Sequence, residues 1–130
     1  MIGLDTNVLL RFFLQDDPDQ GARAAALMST FSVQEPGFVS SATLAESAWV
    51  LERSYRRPKH EVVFFVRGLL ESRQLVVENH DSVAQALEKF ERSNADFADC
   101  LIERLCHSSG CTRTMTFDLN ASKSAGMILV

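Results

Sequence analysis

The chain has 130 residues, 46% hydrophobic, 23% charged and 8% aromatic, the balance of a globular protein able to bury a core and unlike that of a disordered, collagenous or coiled-coil chain. A formal net charge of −4 argues against a binder that grips nucleic acid through a broad basic face, yet leaves room for a small acidic site that reaches phosphate through a metal ion. Apolar runs such as Val62-Val63-Phe64-Phe65-Val66 stop well short of the ~20 residues that cross a bilayer.

Asp5, Asn7 and Arg11 interrupt the apolar N-terminus, which therefore does not read as a secretory signal. One domain over residues 1–130, working in the cytoplasm with no membrane partner, is the expectation. Cys100, Cys106 and Cys111 form no C-x-x-C pair, so neither a disulfide framework nor a zinc site is signalled, and reduced, mostly buried cysteines are expected.

Ile2-Gly3-Leu4 reads as a short buried strand ending at Asp5, and Val8, Leu9, Leu10, Phe12 and Phe13 as the helix it enters. Pro18 suits the first turn of a second helix carrying Ala22, Ala25, Ala26 and Leu27. Phe38-Val39-Ser40 reads as the next strand, and Ser41 or Thr43 as the cap of a helix running through Leu44, Ala48, Trp49 and Leu51 to about Ser54. Pro58 starts another, in which Val62, Phe65, Val66, Leu69 and Leu70 recur at helical spacing. Leu75-Val76-Val77 is a third strand. Asp81-Ser82 would cap a helix bearing Val83, Leu87 and Phe90, and Asn94 or Ala95 would open one bearing Phe97, Leu101, Ile102 and Leu105, ended by Gly110. Thr114 to Phe117 reads as a fourth strand leading to Asp118, and Met127 to Val130 as the last. Strands separated by helices require crossover connections, hence an α/β fold of three layers: a central, mainly parallel sheet with helices on both faces.

In such sheets ligands gather beyond the carboxyl ends of the strands. Asp5 and Asp118 follow strands, Glu46 lies in the first turns of a helix that follows one, and Asp96 and Asp99 begin a helix. Taken singly, Asp5 also suits a helix cap, Glu46 a solvated helix face, Asp96 an acid that complements a helix dipole, and Asp118 a strand-end turn. Asp99 is harder to dismiss, because Ala98, Cys100, Leu101 and Ile102 surround it with apolar character. Several acids at one sheet edge with no Lys among them want a divalent cation. Oxygen ligands suit Mg²⁺ or Mn²⁺, and phosphodiester hydrolysis is the chemistry that uses them. The three-residue separation of Asp96 and Asp99 puts both on one helical face.

Four blocks, Leu4-Asp5-Thr6-Asn7-Val8-Leu9-Leu10-Arg11, Ala45-Glu46 with Ala48-Trp49-Val50-Leu51-Glu52, Ala95-Asp96-Phe97-Ala98-Asp99-Cys100-Leu101-Ile102 and Thr116-Phe117-Asp118, resemble in order the acidic motifs of the PIN-domain nucleases, and within them the VapC toxins of bacterial toxin–antitoxin pairs. The resemblance implies an endoribonuclease dependent on Mg²⁺ or Mn²⁺, with Asp5, Glu46, Asp99 and Asp118 as catalytic, metal-holding carboxylates. It implies supporting roles for Thr6 and Thr116, which would hydrogen-bond within the site, for Asn7, which would hold the first turn, and for Asp96. It further implies RNA as substrate, a homodimer, and an inhibitory VapB-type antitoxin whose tail lies across the acidic site. Cys100 stands where relatives often carry a small residue.

Arg11 and the run Arg53, Arg56, Arg57 and Lys59 are candidates for steering RNA phosphate, with a solvated helix end as the plainer reading of the run. Trp49 and Tyr55 have faces suited to stacking on bases, but the place of Trp49 among Leu44, Ala48 and Leu51 assigns it to the expected core. Phe12, Phe13, Phe31, Phe64 and Phe65 exceed what the core accounts for, leaving some for a dimer or antitoxin groove. Two competing readings are a Mg²⁺-dependent phosphatase of doubly wound fold and a catalytically silent PIN-like module that binds RNA or protein. A haloacid-dehalogenase-like phosphatase wants a second Asp where Asn7 stands, and a pure binder gains nothing from repelling carboxylates.

Overall fold

Short apolar strands alternate with amphipathic helices through all 130 residues of the computed structural model. In chain order they are β1 (Ile2–Gly3), α1 (Thr6–Leu14), α2 (Pro18–Met28), β2 (Gly37–Val39), α3 (Ser41–Arg53), α4 (Lys59–Glu71), β3 (Leu75–Val77), α5 (His80–Arg92), α6 (Phe97–Ser108), β4 (Met115–Thr116), α7 (Leu119–Ser124) and β5 (Ile128–Leu129). The expected α/β architecture of parallel strands flanked by helices is the one the chain adopts. β2 lies between β1 and β3, with Ile2 opposite Gly37 and Gly37 opposite Leu75, and both pairings are parallel.

The expectation of one central sheet is corrected in detail: β4 and β5 pair with each other, Met115 opposite Ile128, in a second parallel ladder of their own. The fourth strand is cut short because Thr116 Oγ1 accepts from the Asp118 backbone N–H at 3.0 Å and the Asp118 carboxylate accepts from Ala121 N–H at 2.9 Å, turning the chain into α7. That six-residue helix went unread, since Leu119-Asn120-Ala121-Ser122-Lys123-Ser124 has too few apolar residues to display a period.

Apolar burial holds the layers together. Leu44, Ala48 and Leu51 of α3, Val62 and Val66 of α4, Val83 and Phe90 of α5, and Phe97 and Leu101 of α6 meet in one continuous core with Val39 and Val77 of the sheet, and Phe90 packs edge-on against Phe97. Gly37 is required by close approach: a Cβ there would stand 2.8 Å from the Phe31 ring and 2.9 Å from Leu75. The segment bearing β4, α7 and β5 is also tied down by charge. Lys89 of α5 donates to Glu103 of α6 and, at 2.9 Å, to the Ala125 carbonyl, while Arg104 grips both oxygens of Glu103 at 2.8 Å. Burial alone would raise the Glu103 carboxyl; the bonds from Arg104 and Lys89 outweigh it and hold the group below its ordinary value.

Several element boundaries move by a residue or more. Ser40, rather than Ser41 or Thr43, caps α3 by accepting from Thr43 N–H at 3.1 Å, Asn79 in a left-handed conformation precedes α5 where Asp81 and Ser82 were expected to cap it, and Asp96 rather than Asn94 or Ala95 precedes α6. Trp49 is a larger correction. It is 51% exposed, because Leu44, Ala48 and Leu51 define the inward face of α3 and residue 49 is turned ~100° from Ala48. Cys100 is buried and Cys106 half-buried as expected, whereas Cys111 is exposed. No helix is long and apolar enough to cross a membrane.

Candidate functional site

Asp5 and Asp96 both occupy helix N-cap positions, on α1 and α6, yet neither side chain accepts a capping hydrogen bond. Capping contributes about 1 kcal/mol, and the chain does use it at Asp17 and Asp118, whose carboxylates accept from Gln20 and Ala121. The exposed Asp5 carboxylate is thus left free at the end of β1. Beside it in sequence, the buried Thr6 donates its hydroxyl to Oε1 of Glu46 on α3, which fixes one carboxylate oxygen and leaves Oε2 open.

The start of α6 is held by the end of α3. Glu52 accepts from the Phe97 backbone N–H at 3.2 Å, and Arg53 forms an ion pair with Asp96. Burial raises the Glu52 pKa, with the Phe97 bond opposing and nearby Asp96 adding to the rise. This clamp was not assigned a role from the sequence, although Glu52 stands in the second acidic block; only the packing of α3 on α6 reveals that two adjacent polar residues both reach one helix terminus.

One turn into α6, Asp99 is half-buried. Its pKa is raised by that burial first, then by the charges of Asp96 and Asp118, with Arg53 partly compensating. Asp118 caps α7 through one oxygen, so its second remains available. The acids expected at the site therefore fall into two pieces: Glu46 held by Thr6, with Asp5 adjacent to Thr6 in the chain, and Asp99 with Asp96 and Asp118 in electrostatic reach of it. Thr116 contributes by holding the Asp118 backbone. Asn7 is exposed and lines a cleft of about 360 Å³ with Arg11, Gln20 and Arg23, rather than bracing the first turn.

Among the candidate cations, Arg11 is engaged by Asp16 at 3.0 Å and Gln20 at 2.8 Å, Arg53 by Asp96, and Arg57 by Glu61 at 3.6 Å. Lys59 donates to the Phe90 and Ser93 carbonyls at the end of α5 and lies over the Phe90 ring. Arg56 alone of these has neither an ion pair nor a side-chain hydrogen bond, and stands exposed in the turn that follows α3.

No three carboxylate, imidazole or thiol side chains converge tightly enough to enclose a metal ion by themselves. A hard divalent cation does not require it, since such ions bind through one or two carboxylates and complete their shell with water and substrate phosphate. The donors offered, at Asp5, Glu46, Asp99 and Asp118, are all oxygens, which fits a hard ion. Burial pushes the neighbouring Cys100 thiol up to about 11, so it stays protonated and supplies neither a soft ligand nor a nucleophile.

A family model, the PIN domain, matches residues 2–126 of the chain. No curated protein matches it.

The raised pKa of Asp99 makes a sign-definite prediction. Between the ordinary aspartate value and the raised one, the folded state keeps a proton that the unfolded state has released, so stability falls as pH rises through that window. In the presence of a chelator at neutral pH, Asp99→Asn should therefore melt at a higher temperature than the wild type, and the gap should close below about pH 4. Thermal unfolding followed by circular dichroism across that range reads it; equal melting temperatures at neutral pH would contradict the assignment of Asp99 to a repelling cluster.

Proposed function

The chain belongs to the PIN-domain family, a family generally of metal-dependent nucleases that bind RNA, and on that premise we propose that it is a Mg²⁺- or Mn²⁺-dependent endoribonuclease, the toxin of a VapBC pair, acting in the cytoplasm as one domain over residues 1–130. The observation that carries this reading is Asp99: a half-buried carboxylate one turn into α6, within electrostatic reach of Asp96 and Asp118 with only Arg53 in partial compensation. Such an arrangement costs stability in the isolated protein and is offset when a divalent cation arrives.

Asp5 and Asp99 are the principal metal-holding residues, joined by Glu46 and Asp118. Bound there, a divalent ion would supply orientation of the scissile phosphate, a more acidic water and neutralisation of charge on the leaving oxygen. The chain's own residues do the rest. Thr6 fixes one oxygen of Glu46, so the free oxygen is set to accept a hydrogen bond from the attacking water. Asp118, held by its cap on α7 and by Thr116, stands opposite the start of α6. Asp96 is occupied by Arg53 and acts as a supporting residue that fixes that guanidinium near the substrate. In the reaction the water oxygen bonds to phosphorus as the bond from phosphorus to the leaving ribose oxygen breaks; the water gives up its proton through the carboxylates to solvent, and the leaving oxygen takes up a proton from solvent to become a hydroxyl.

An antitoxin has a place to bind. Phe12, Phe13, Phe31, Phe64 and Phe65, with Leu69, line an apolar groove of about 450 Å³ between α1, α2 and α4. Phe31 and Phe65 form its buried floor, while Phe12 and Phe64 are exposed at its rim. That division accounts for the excess of phenylalanine, and an apolar segment of a VapB-type partner fits such a surface.

Brief induction of the wild-type chain and of Asp99→Asn in growing bacteria, followed by mapping of new RNA 5′ ends, tests the catalytic reading without assuming a target. A small set of sites present with the wild type alone is the expected result; identical maps from two soluble, antitoxin-free proteins would overturn it and favour a binding module. For the groove, Phe64→Asp should abolish co-purification with the antitoxin and leave RNA cleavage within about threefold of wild type, since an exposed rim substitution perturbs the fold by no more than ~0.5 kcal/mol. Retained antitoxin binding would move the partner elsewhere.

A further inference from the structure

Trp49 is half exposed on a helix whose inward positions are filled by Leu44, Ala48 and Leu51. It lies in a stripe with Glu46 and Arg53, three residues after the first and four before the second, so the three share one face of α3. Both ends of that stripe are anchored to the acidic edge: Glu46 receives the Thr6 hydroxyl from α1, and Arg53 pairs with Asp96 at the start of α6. The indole is therefore bracketed by residues that touch the candidate site from two other elements. No intramolecular aromatic partner covers it, since every ring pair in the chain is between phenylalanines. Phe117 is 83% exposed and immediately precedes Asp118.

Large exposed aromatic surface is costly unless something covers it. Here the covering group must tolerate carboxylates and a guanidinium at its border, which the charge-depleted centre of a protein interface does not. A nucleobase does: it stacks on an aromatic face, accepts a guanidinium beside it, and belongs to a chain whose phosphate the acidic site requires. We propose that Trp49 is a stacking platform for an unpaired base of the bound RNA, with the exposed Phe117 beside Asp118 offering a second aromatic face. This rests on the nuclease reading of the acidic site and adds the side chains that would orient the bases of the bound RNA. A base inside a duplex is stacked on its neighbours and offers Trp49 no free face.

Trp49 is the only tryptophan, so its fluorescence reports the contact directly. In an Asp99→Asn background, titration with a short single-stranded oligoribonucleotide should quench the emission saturably, and the same sequence as a duplex should not. Trp49→Phe, which keeps an aromatic face, should bind a dye-labelled copy of that oligoribonucleotide within a few-fold of the parent, and Trp49→Leu roughly ten- to hundredfold more weakly, with thermal unfolding confirming that both remain folded. Unchanged emission at RNA concentrations that saturate anisotropy would overturn the stacking role. Quenching that follows protein concentration alone, with Trp49→Leu monomeric where the parent sediments as a dimer, would overturn it in favour of a subunit interface. Failure of the nuclease reading shows separately, as RNA 5′ ends that do not depend on Asp99, and leaves these binding curves to be read on their own.

Discussion

Three carboxylates brought near one another repel, and the fold has to pay for that repulsion. At the start of α6 it does so with the end of α3: Glu52 accepts from the otherwise unpaired Phe97 N–H of the first turn, and Arg53 takes the Asp96 carboxylate. Asp99 is thereby presented at a fixed place one turn further on, free of hydrogen-bonding duties to its own helix. The apolar seam of Leu44, Ala48, Leu51, Phe97 and Leu101 keeps α3 and α6 in register so that both contacts form. On the opposite side, Lys89 and Arg104 hold Glu103, and Lys89 also holds the Ala125 carbonyl, which fixes the segment that brings Asp118 into reach. Charge complementarity away from the edge thus supports charge repulsion at the edge.

The same logic explains which acids are free. Asp17 caps α2 and Asp16 and Asp19 pair with arginines, so the acidic turn between α1 and α2 is internally satisfied. Asp5 and Asp99 have no comparable partners. An unpartnered carboxylate is available as a ligand to a hard cation, and the PIN-domain membership of the chain places Asp5 and Asp99 in a family that commonly works with divalent ions. The cations near the edge are mostly committed to structure: Arg53, Arg57 and Lys59 hold helix ends or neighbouring acids, which is why the proposed contact to RNA is made by other surfaces than a basic patch. Exposed aromatic faces are such a surface, and they grip nucleotides without demanding a strongly positive protein.

Much of this was legible in the sequence, for identifiable reasons. Helix periods at Val62, Phe65, Val66 and Leu69, and Pro18 at a helix start, are local signals that tertiary contacts reinforce, and the alternation of strands with helices dictated parallel pairing. The positions of Asp5 and Asp118 after strands, and of Glu46 and Asp99 in the first turns of helices, followed from the same pattern. What was illegible depends on which neighbour arrives. Asp118 reads as a turn residue until its carboxylate is seen capping a six-residue helix without periodicity. Trp49 reads as core because its sequence neighbours are core, and only the phase of α3 against α4 and α6 turns it outward. Glu52 looks like one more surface acid until α6 offers it a backbone N–H from 45 residues away.

The central claim is that Asp5, Glu46, Asp99 and Asp118 act together on one divalent ion. Carbon-13 resonances of the four side-chain carboxyls, followed by nuclear magnetic resonance while Mg²⁺ is titrated into the protein without RNA, test it most directly. The account predicts that Asp5 and Asp99 shift together along one saturable curve, with smaller concerted shifts at Glu46 and Asp118 and none at Asp16, Asp17 or Asp19. Independent, unsaturable drifts spread over all the acids would contradict it, and would leave the acidic edge as an electrostatic feature of the fold with no metal to serve.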